Sequence, residues 1–186
     1  MKSFSTCLIV AGLALSSAVA QAAEPSIAER VDAVFAEYDS KRTPGCSLGV
    51  IRDGELVHAR GYGMASLDHG VPLSPRSVFR IASTSKQFTA FAIQLLVDRG
   101  EVDLDADVRT YLPQLPEYPE PVTVRQLIHH TSGYRDYLSL NWLAGTRNDD
   151  FYTDAEVLDL LSRQRELNFE PGSRHLYSNS GYFLLG

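Results

Sequence analysis

A mixed α+β domain, helices beside a small antiparallel sheet, is the fold class the sequence predicts. Three observations carry it. Ile27, Val31, Val34, Phe35 and Tyr38 recur at helical spacing over about residues 26–39. Cys46–Arg52 then reads as a strand, Asp53-Gly54 as a hairpin turn and residues 55–65 as the partner strand. Phe88, Phe91, Ala92, Leu95 and Leu96 return to helical spacing, with Gly100 placed for a left-handed C-cap. Helix, hairpin, helix is not the alternation that builds a doubly wound parallel sheet.

The elements follow in order. Lys2, the apolar run 7–15 and the small residues Ala18-Val19-Ala20 and Ala20-Gln21-Ala22 form an export signal over residues 1–23. That run is too short for a comfortable membrane span. Its removal predicts a periplasmic or secreted protein with no membrane span, and leaves residues 24–186 as one domain. Cleavage takes away only Lys2, so the mature chain has 16 basic and 23 acidic residues and a net charge of −7. An acidic chain without basic runs argues against nucleic acid or an anionic membrane surface as partner. Cys46 is the sole cysteine left and reads as a buried inert thiol. His58 and His69 read as ordinary surface or strand histidines.

Beyond Gly100, the carboxylates of Glu101, Asp103, Asp105 and Asp107 lack the spacing and central glycine of a calcium loop. They read as a solvated loop. Pro113, Pro116, Pro119 and Pro121 mark irregular chain. Thr123-Val124-Arg125-Gln126 is a capping box for a short helix, and Thr153-Asp154-Ala155-Glu156 is another. Residues 134–151, with Trp142, Tyr134 and Tyr137, read as an irregular loop that either walls a substrate cleft or packs on the surface.

Three short motifs can carry chemistry. Ser83-Thr84-Ser85-Lys86 opens the Phe88-to-Leu96 helix, which places Ser83 in the first turn of a buried helix with Lys86 on the same face. A serine hydroxyl needs a neighbour to take its proton, and a lysine can serve when burial and nearby cations lower its pKa. The helix N-terminus adds backbone N–H groups suited to a developing oxyanion. The other reading is an N-cap serine beside a solvated lysine. His129-His130-Thr131-Ser132-Gly133 closes the Thr123 helix. Adjacent histidines point apart and no second cluster completes a metal site, so Gly133 ending the helix, with His130 or Ser132 bonding loop backbone, is preferred. Tyr177-Ser178-Asn179 lies in a loop after the Pro171-Gly172 turn. A phenol beside an ammonium can act as acid or base, and an asparagine amide can orient a lysine or hold a substrate amide. A packed tyrosine with a turn asparagine is the other reading.

Taken together, Ser83-Thr84-Ser85-Lys86, then residues 127–133, then Tyr177-Ser178-Asn179 resemble the serine β-lactamase and penicillin-binding-protein superfamily. Tyr-x-Asn in place of Ser-Asp-Asn points to its class C β-lactamase, D-alanyl-D-alanine carboxypeptidase and esterase branch. The resemblance spans residues 26–186. It implies a β-lactamase/transpeptidase-like fold with a helical region and an antiparallel sheet. It implies Ser83 as acylated nucleophile, Lys86 as helping to deprotonate it and keeping the local field positive, and Tyr177 as proton shuttle. Asn179 would orient Lys86 and hold the substrate amide, and the Ser83 N–H would form half of an oxyanion hole. His130, Thr131, Ser132 and Gly133 would brace the site. No metal or organic cofactor is implied. The substrate would be a β-lactam, a D-amino-acid peptide or a small ester, and the motifs do not rank them.

The family's Lys- or His-Thr/Ser-Gly element is absent from these 186 residues. The resemblance therefore implies an N-terminal fragment that lacks the C-terminal strands on which the hairpin packs, leaving the hairpin with unpaired edges and an uncovered apolar face. The competing function is a non-catalytic penicillin-binding or sensor-type domain.

Overall fold

The computed structural model describes residues 24–147 and 150–186. The export signal and its cleavage sites lie outside the described residues. The chain divides into two compact units, Met1–Phe79 and Arg80–Gly186.

In the first unit, helix α1 runs over Ile27–Phe35 and ends in a 3-10 turn, Ala36–Tyr38. Its start is set by a capping box in which Ser26 and Glu29 each bond the other's backbone N–H. Strand β1 (Cys46–Arg52) pairs antiparallel with β2 (Glu55–Tyr62). Asp53 and Gly54 both have positive φ, 52° and 82°, as a two-residue hairpin turn of matching twist requires. The predicted second strand is broken at Gly63, where φ is +73° and a Cβ would sit 2.7 Å from the Tyr38 carbonyl oxygen. After the break come β3 (Met64–Ser66) and its partner β4 (Val71–Pro72).

Tyr62, fully buried, is the hub of this unit. Its ring stacks on Phe35 at 5.1 Å, and its hydroxyl donates to Asp32 at 2.6 Å. Burial and the Asp32 carboxylate push that phenol up to about 12. His58 is not an isolated strand histidine, because its Nε2 lies 3.1 Å from the Tyr62 hydroxyl. Cys46 is half-buried rather than fully buried. Ile51 and Leu56 are 71% and 62% exposed, so the hairpin leaves apolar side chains in solvent.

The second unit is helical. A 3-10 turn, Ala82–Ser85, leads into α2 (Lys86–Asp98). Gly100 at φ +73° closes α2 as predicted, with the Glu101 N–H bonded to the Leu96 carbonyl. Short helices follow: α3 (Val124–Ile128), α4 (Tyr137–Leu143), α5 (Asp154–Ser162) and α6 (Asn179–Leu184). Both predicted capping boxes form, Thr123 with Gln126 and Thr153 with Glu156. Val108, Leu115, Val122, Leu127, Tyr134, Val157 and Leu161 make the core. Helix α6 lies close on α3 at Gly181, where a Cβ would be 2.9 Å from the Leu127 carbonyl oxygen.

Four expectations change here. Residues 134–151 are not all irregular, because Asp136 caps α4 through the Leu138 and Ser139 N–H groups. Helix α2 is not buried: Phe88 and Phe91 are 63% and 64% exposed, and only Ile93 of the helix is buried. The left-handed residue that ends α3 is His130, at φ 57°, ahead of Gly133. The acidic segment is structural, since Asp105 pairs with Arg125 through both oxygens and Asp107 caps a 3-10 turn, Val108–Thr110.

Candidate active site

Ser83 stands in the 3-10 turn before α2, one residue after Ala82, whose φ is 45°. A positive φ at a residue with a Cβ is strained, and such strain gathers where a side chain must be presented at a set angle. The turn leaves Ser83 exposed. Lys86, the first residue of α2, reaches back over it. Its Nζ donates to Ser83 Oγ at 3.2 Å and to Asn179 Oδ1 at 2.9 Å.

Tyr177 arrives from the far end of the unit. Its hydroxyl donates to Ser83 Oγ at 2.7 Å and lies 3.4 Å from Asn179 Oδ1. Lys86 Nζ also sits over the rings of Tyr177 and Tyr182, at 5.0 and 5.5 Å. The Lys86 ammonium, and then the bond with Ser83, hold the Tyr177 phenol below its ordinary value of 10. Asn179 opens α6, capped by Ser178 Oγ, which accepts from the Ser180 N–H. The fold therefore brings Ser83, Lys86, Tyr177 and Asn179 into one bonded cluster.

The segment after α3 holds the Tyr177 strand of chain in place. The His130 carbonyl accepts from the Leu176 N–H at 2.9 Å, and His130 Nδ1 accepts from the Ser178 N–H at 3.2 Å. One histidine thus grips both flanks of Tyr177, with its ring 4.5 Å from the phenol ring. Burial, and then His175, hold the His130 imidazole below its ordinary value, which keeps Nδ1 an acceptor. Thr131 and Gly133 carbonyls accept from the Gly172 and Asn168 N–H groups, both at 2.8 Å. A Cβ at Gly133 would lie 2.4 Å from the Phe169 carbonyl oxygen, at φ +80°. Buried Ser132 accepts from the Tyr134 N–H.

Two residues of the cluster carry no mark in the motifs. Asp136 Oδ2 accepts from both the backbone N–H and the Nδ2 of Asn179. Ser180, fully buried, donates to the Arg135 carbonyl and accepts from the Tyr137 N–H. The sole signal for Asp136 was its fitness as an N-cap ahead of Tyr137-Leu138-Ser139. A cavity of about 450 Å³ opens beside Tyr177, walled by Leu140, Leu143 and Leu176 with Asp136 and Arg135 at its edge. Residues 134–143 thus do line a cleft. Among the described residues no group of three His, Cys, Asp or Glu side chains could hold a metal ion. No helix among them is long and apolar enough to cross a membrane.

Comparison with known proteins bears on this geometry. Residues 28–186 match the family model described as Beta-lactamase. The chain is 36% identical over 142 residues to a D-aminopeptidase of Gluconobacter oxydans, covering 76% of this chain and 26% of that protein. It is 36% identical over 168 residues to Esterase EstB of Burkholderia gladioli, covering 82% and 42%. Among solved structures, the D-amino acid amidase from Ochrobactrum anthropi SV3 complexed with L-phenylalanine superposes with a TM-score of 0.68 at 31% identity, over 84% of this chain and 43% of that one. The chain thus spans between about a quarter and two fifths of the length of these two curated relatives.

Proposed function

This chain belongs to the beta-lactamase family, and from that premise we propose that the whole protein is a serine hydrolase working through an acyl-enzyme on Ser83. The observation that carries the reading is the 2.7 Å contact between the Ser83 hydroxyl and the Tyr177 phenol, with the Lys86 ammonium 3.2 Å from the same serine oxygen. Tyr177, held low by Lys86, takes the Ser83 proton as Oγ bonds to the substrate carbonyl carbon. The same proton passes to the leaving group as its bond to that carbon breaks. Water then adds to the acyl-enzyme, Tyr177 takes its proton, and Ser83 regains one on release. Lys86 supplies positive charge throughout, and the Ser83 N–H is one donor to the oxyanion.

The substrate is a β-lactam, a D-amino-acid peptide or amide, or a small ester. The relatives named as D-aminopeptidase, D-amino acid amidase and esterase support that range. The leader over residues 1–23 supports export to the periplasm or medium, and the short span against the relatives supports reading these residues as the N-terminal part of one hydrolase domain.

Intact-mass measurement of the whole protein with 4-nitrophenyl butyrate, a D-alanine amide and a cephalosporin tests this. An acyl adduct that Ser83→Ala abolishes is the expected result. An adduct that survives Ser83→Ala would exclude Ser83 as nucleophile.

A further inference from the structure

We propose that Asp136 is a positioning residue for the Ser83 cluster: its carboxylate holds the Asn179 amide with Oδ1 turned toward Lys86. This rests on the acyl-enzyme reading above.

The carboxylate is fully engaged. Oδ1 accepts from the Leu138 and Ser139 N–H groups at 3.1 and 3.2 Å, capping α4. Oδ2 accepts from the Asn179 backbone N–H at 2.5 Å and from Asn179 Nδ2 at 2.9 Å. A carboxylate offers about four acceptor sites, and all four meet donors here. No neutral side chain can do this. An amide at position 136 would present an NH₂ to one of two donor pairs.

The consequence falls on Asn179. One end of its amide faces an acceptor-only carboxylate, and the other faces the Lys86 ammonium, which can only donate. Reversing the amide would set oxygen against carboxylate and NH₂ against ammonium. Asp136 therefore decides which atom Lys86 meets, and through Lys86 where the positive charge sits over Ser83 and Tyr177. The charged and titratable groups facing Tyr177 are Lys86 from α2, His130 beyond α3 with its neighbours His129 and His175, Asp136 ahead of α4 and Tyr182 from α6.

Asp136→Asn isolates the effect, because asparagine is as good an N-cap as aspartate and spares α4. Asp136→Ser also keeps a capping oxygen and removes the charge. In the whole protein, pre-steady-state acylation by 4-nitrophenyl butyrate is expected to slow by about 10²-fold in both variants, the scale of a displaced catalytic group. Without its Asn179 anchor the Lys86 ammonium moves off Tyr177, which moves the acid limb of the pH–rate profile up, whereas loss of the Asp136 charge alone would move it down. A protein slowed only by loosened packing would keep the limb in place. Wild-type rates, or a slowed rate with an unmoved or lowered limb, overturn the proposal. Should the wild type show no Ser83-dependent adduct, the hydrolase reading fails on its own. Ultraviolet titration of the Tyr177 phenol, taken as the difference from Tyr177→Phe, then decides: an upward shift in Asp136→Asn and Asp136→Ser supports the positioning role, and an unshifted or lowered titration overturns it.

Discussion

Tyr177 is governed by two charges of opposite sign. The Lys86 ammonium lowers its phenol and the Asp136 carboxylate raises it, and the first wins. In the proposed chemistry the phenolate accepts the proton, so acylation rises with pH through the Tyr177 pKa, at a limb below 10. Lys86→Met removes the lowering charge. Its acid limb is expected to move up in pH, further than in Asp136→Asn, which displaces the ammonium without removing it, and stopped-flow acylation across pH measures both. His130 holds Tyr177 by hydrogen bonds on both flanks and by its ring. Its folded pKa is depressed by burial below 6.5, so the unfolded chain takes a proton first as the pH falls. The contribution is whole above about 6.5 and is lost as the pH drops through the folded value. His130→Asn keeps a side-chain acceptor and a residue type that tolerates positive φ. His130→Ala keeps neither and leaves the Ser178 N–H without this partner, at about 1–3 kcal/mol. Thermal melts of the whole protein should show His130→Ala destabilised at pH 7.5 and His130→Asn near wild type, with a smaller loss than wild type between pH 7 and 5.

The elements show how a pattern in sequence becomes a position in space. The periodic apolar residues of α1, the Asp53-Gly54 turn and the capping boxes of α3 and α5 are local devices, and the structure bears them out. Local reasoning failed where the decisive partner was distant. Helix α4 has no clean apolar stripe in its seven residues, and its cap Asp136 is shared with Asn179, which lies 43 residues on. The Ser83, Lys86, Tyr177 and Asn179 types were legible because their chemistry is carried by the side chain itself. Asp136 and Ser180 were not, because their part is to join segments by backbone bonds that spacing does not reveal. Helices α3 and α6 supply the next prediction. Gly181 lets them touch, and Gly181→Ala must separate them, since the added carbon meets the Leu127 carbonyl at 2.9 Å. The expected cost is about 1–3 kcal/mol in denaturant unfolding. Acylation should slow as well, because Asn179 is carried on the same helix. Wild-type stability in Gly181→Ala would show that the contact yields freely.

At the scale of the whole molecule, apolar side chains stand in solvent in both units. In the first these include Ile51 and Leu56 of the hairpin. In the second they include Phe88, Phe91 and Leu95 along α2, the helix that begins at Lys86, with Trp142, Leu143 and Phe151 elsewhere. Burying a phenylalanine stabilises by about 1.5–3 kcal/mol, and here two on one helix forgo most of that. Contiguous apolar surface of this kind marks a face that meets something, whether further chain or another molecule. The 186-residue chain prepared alone should therefore enhance the fluorescence of 1-anilinonaphthalene-8-sulfonate at neutral pH. Phe88→Glu with Phe91→Glu should cut that enhancement while leaving far-ultraviolet circular dichroism unchanged, since neither ring belongs to the core around Leu127 and Leu161. A sharp calorimetric transition with no dye enhancement would mean that these faces are covered in solution. Enhancement untouched by the double variant would instead place the dye elsewhere, with the hairpin face tested next by Ile51→Lys with Leu56→Lys.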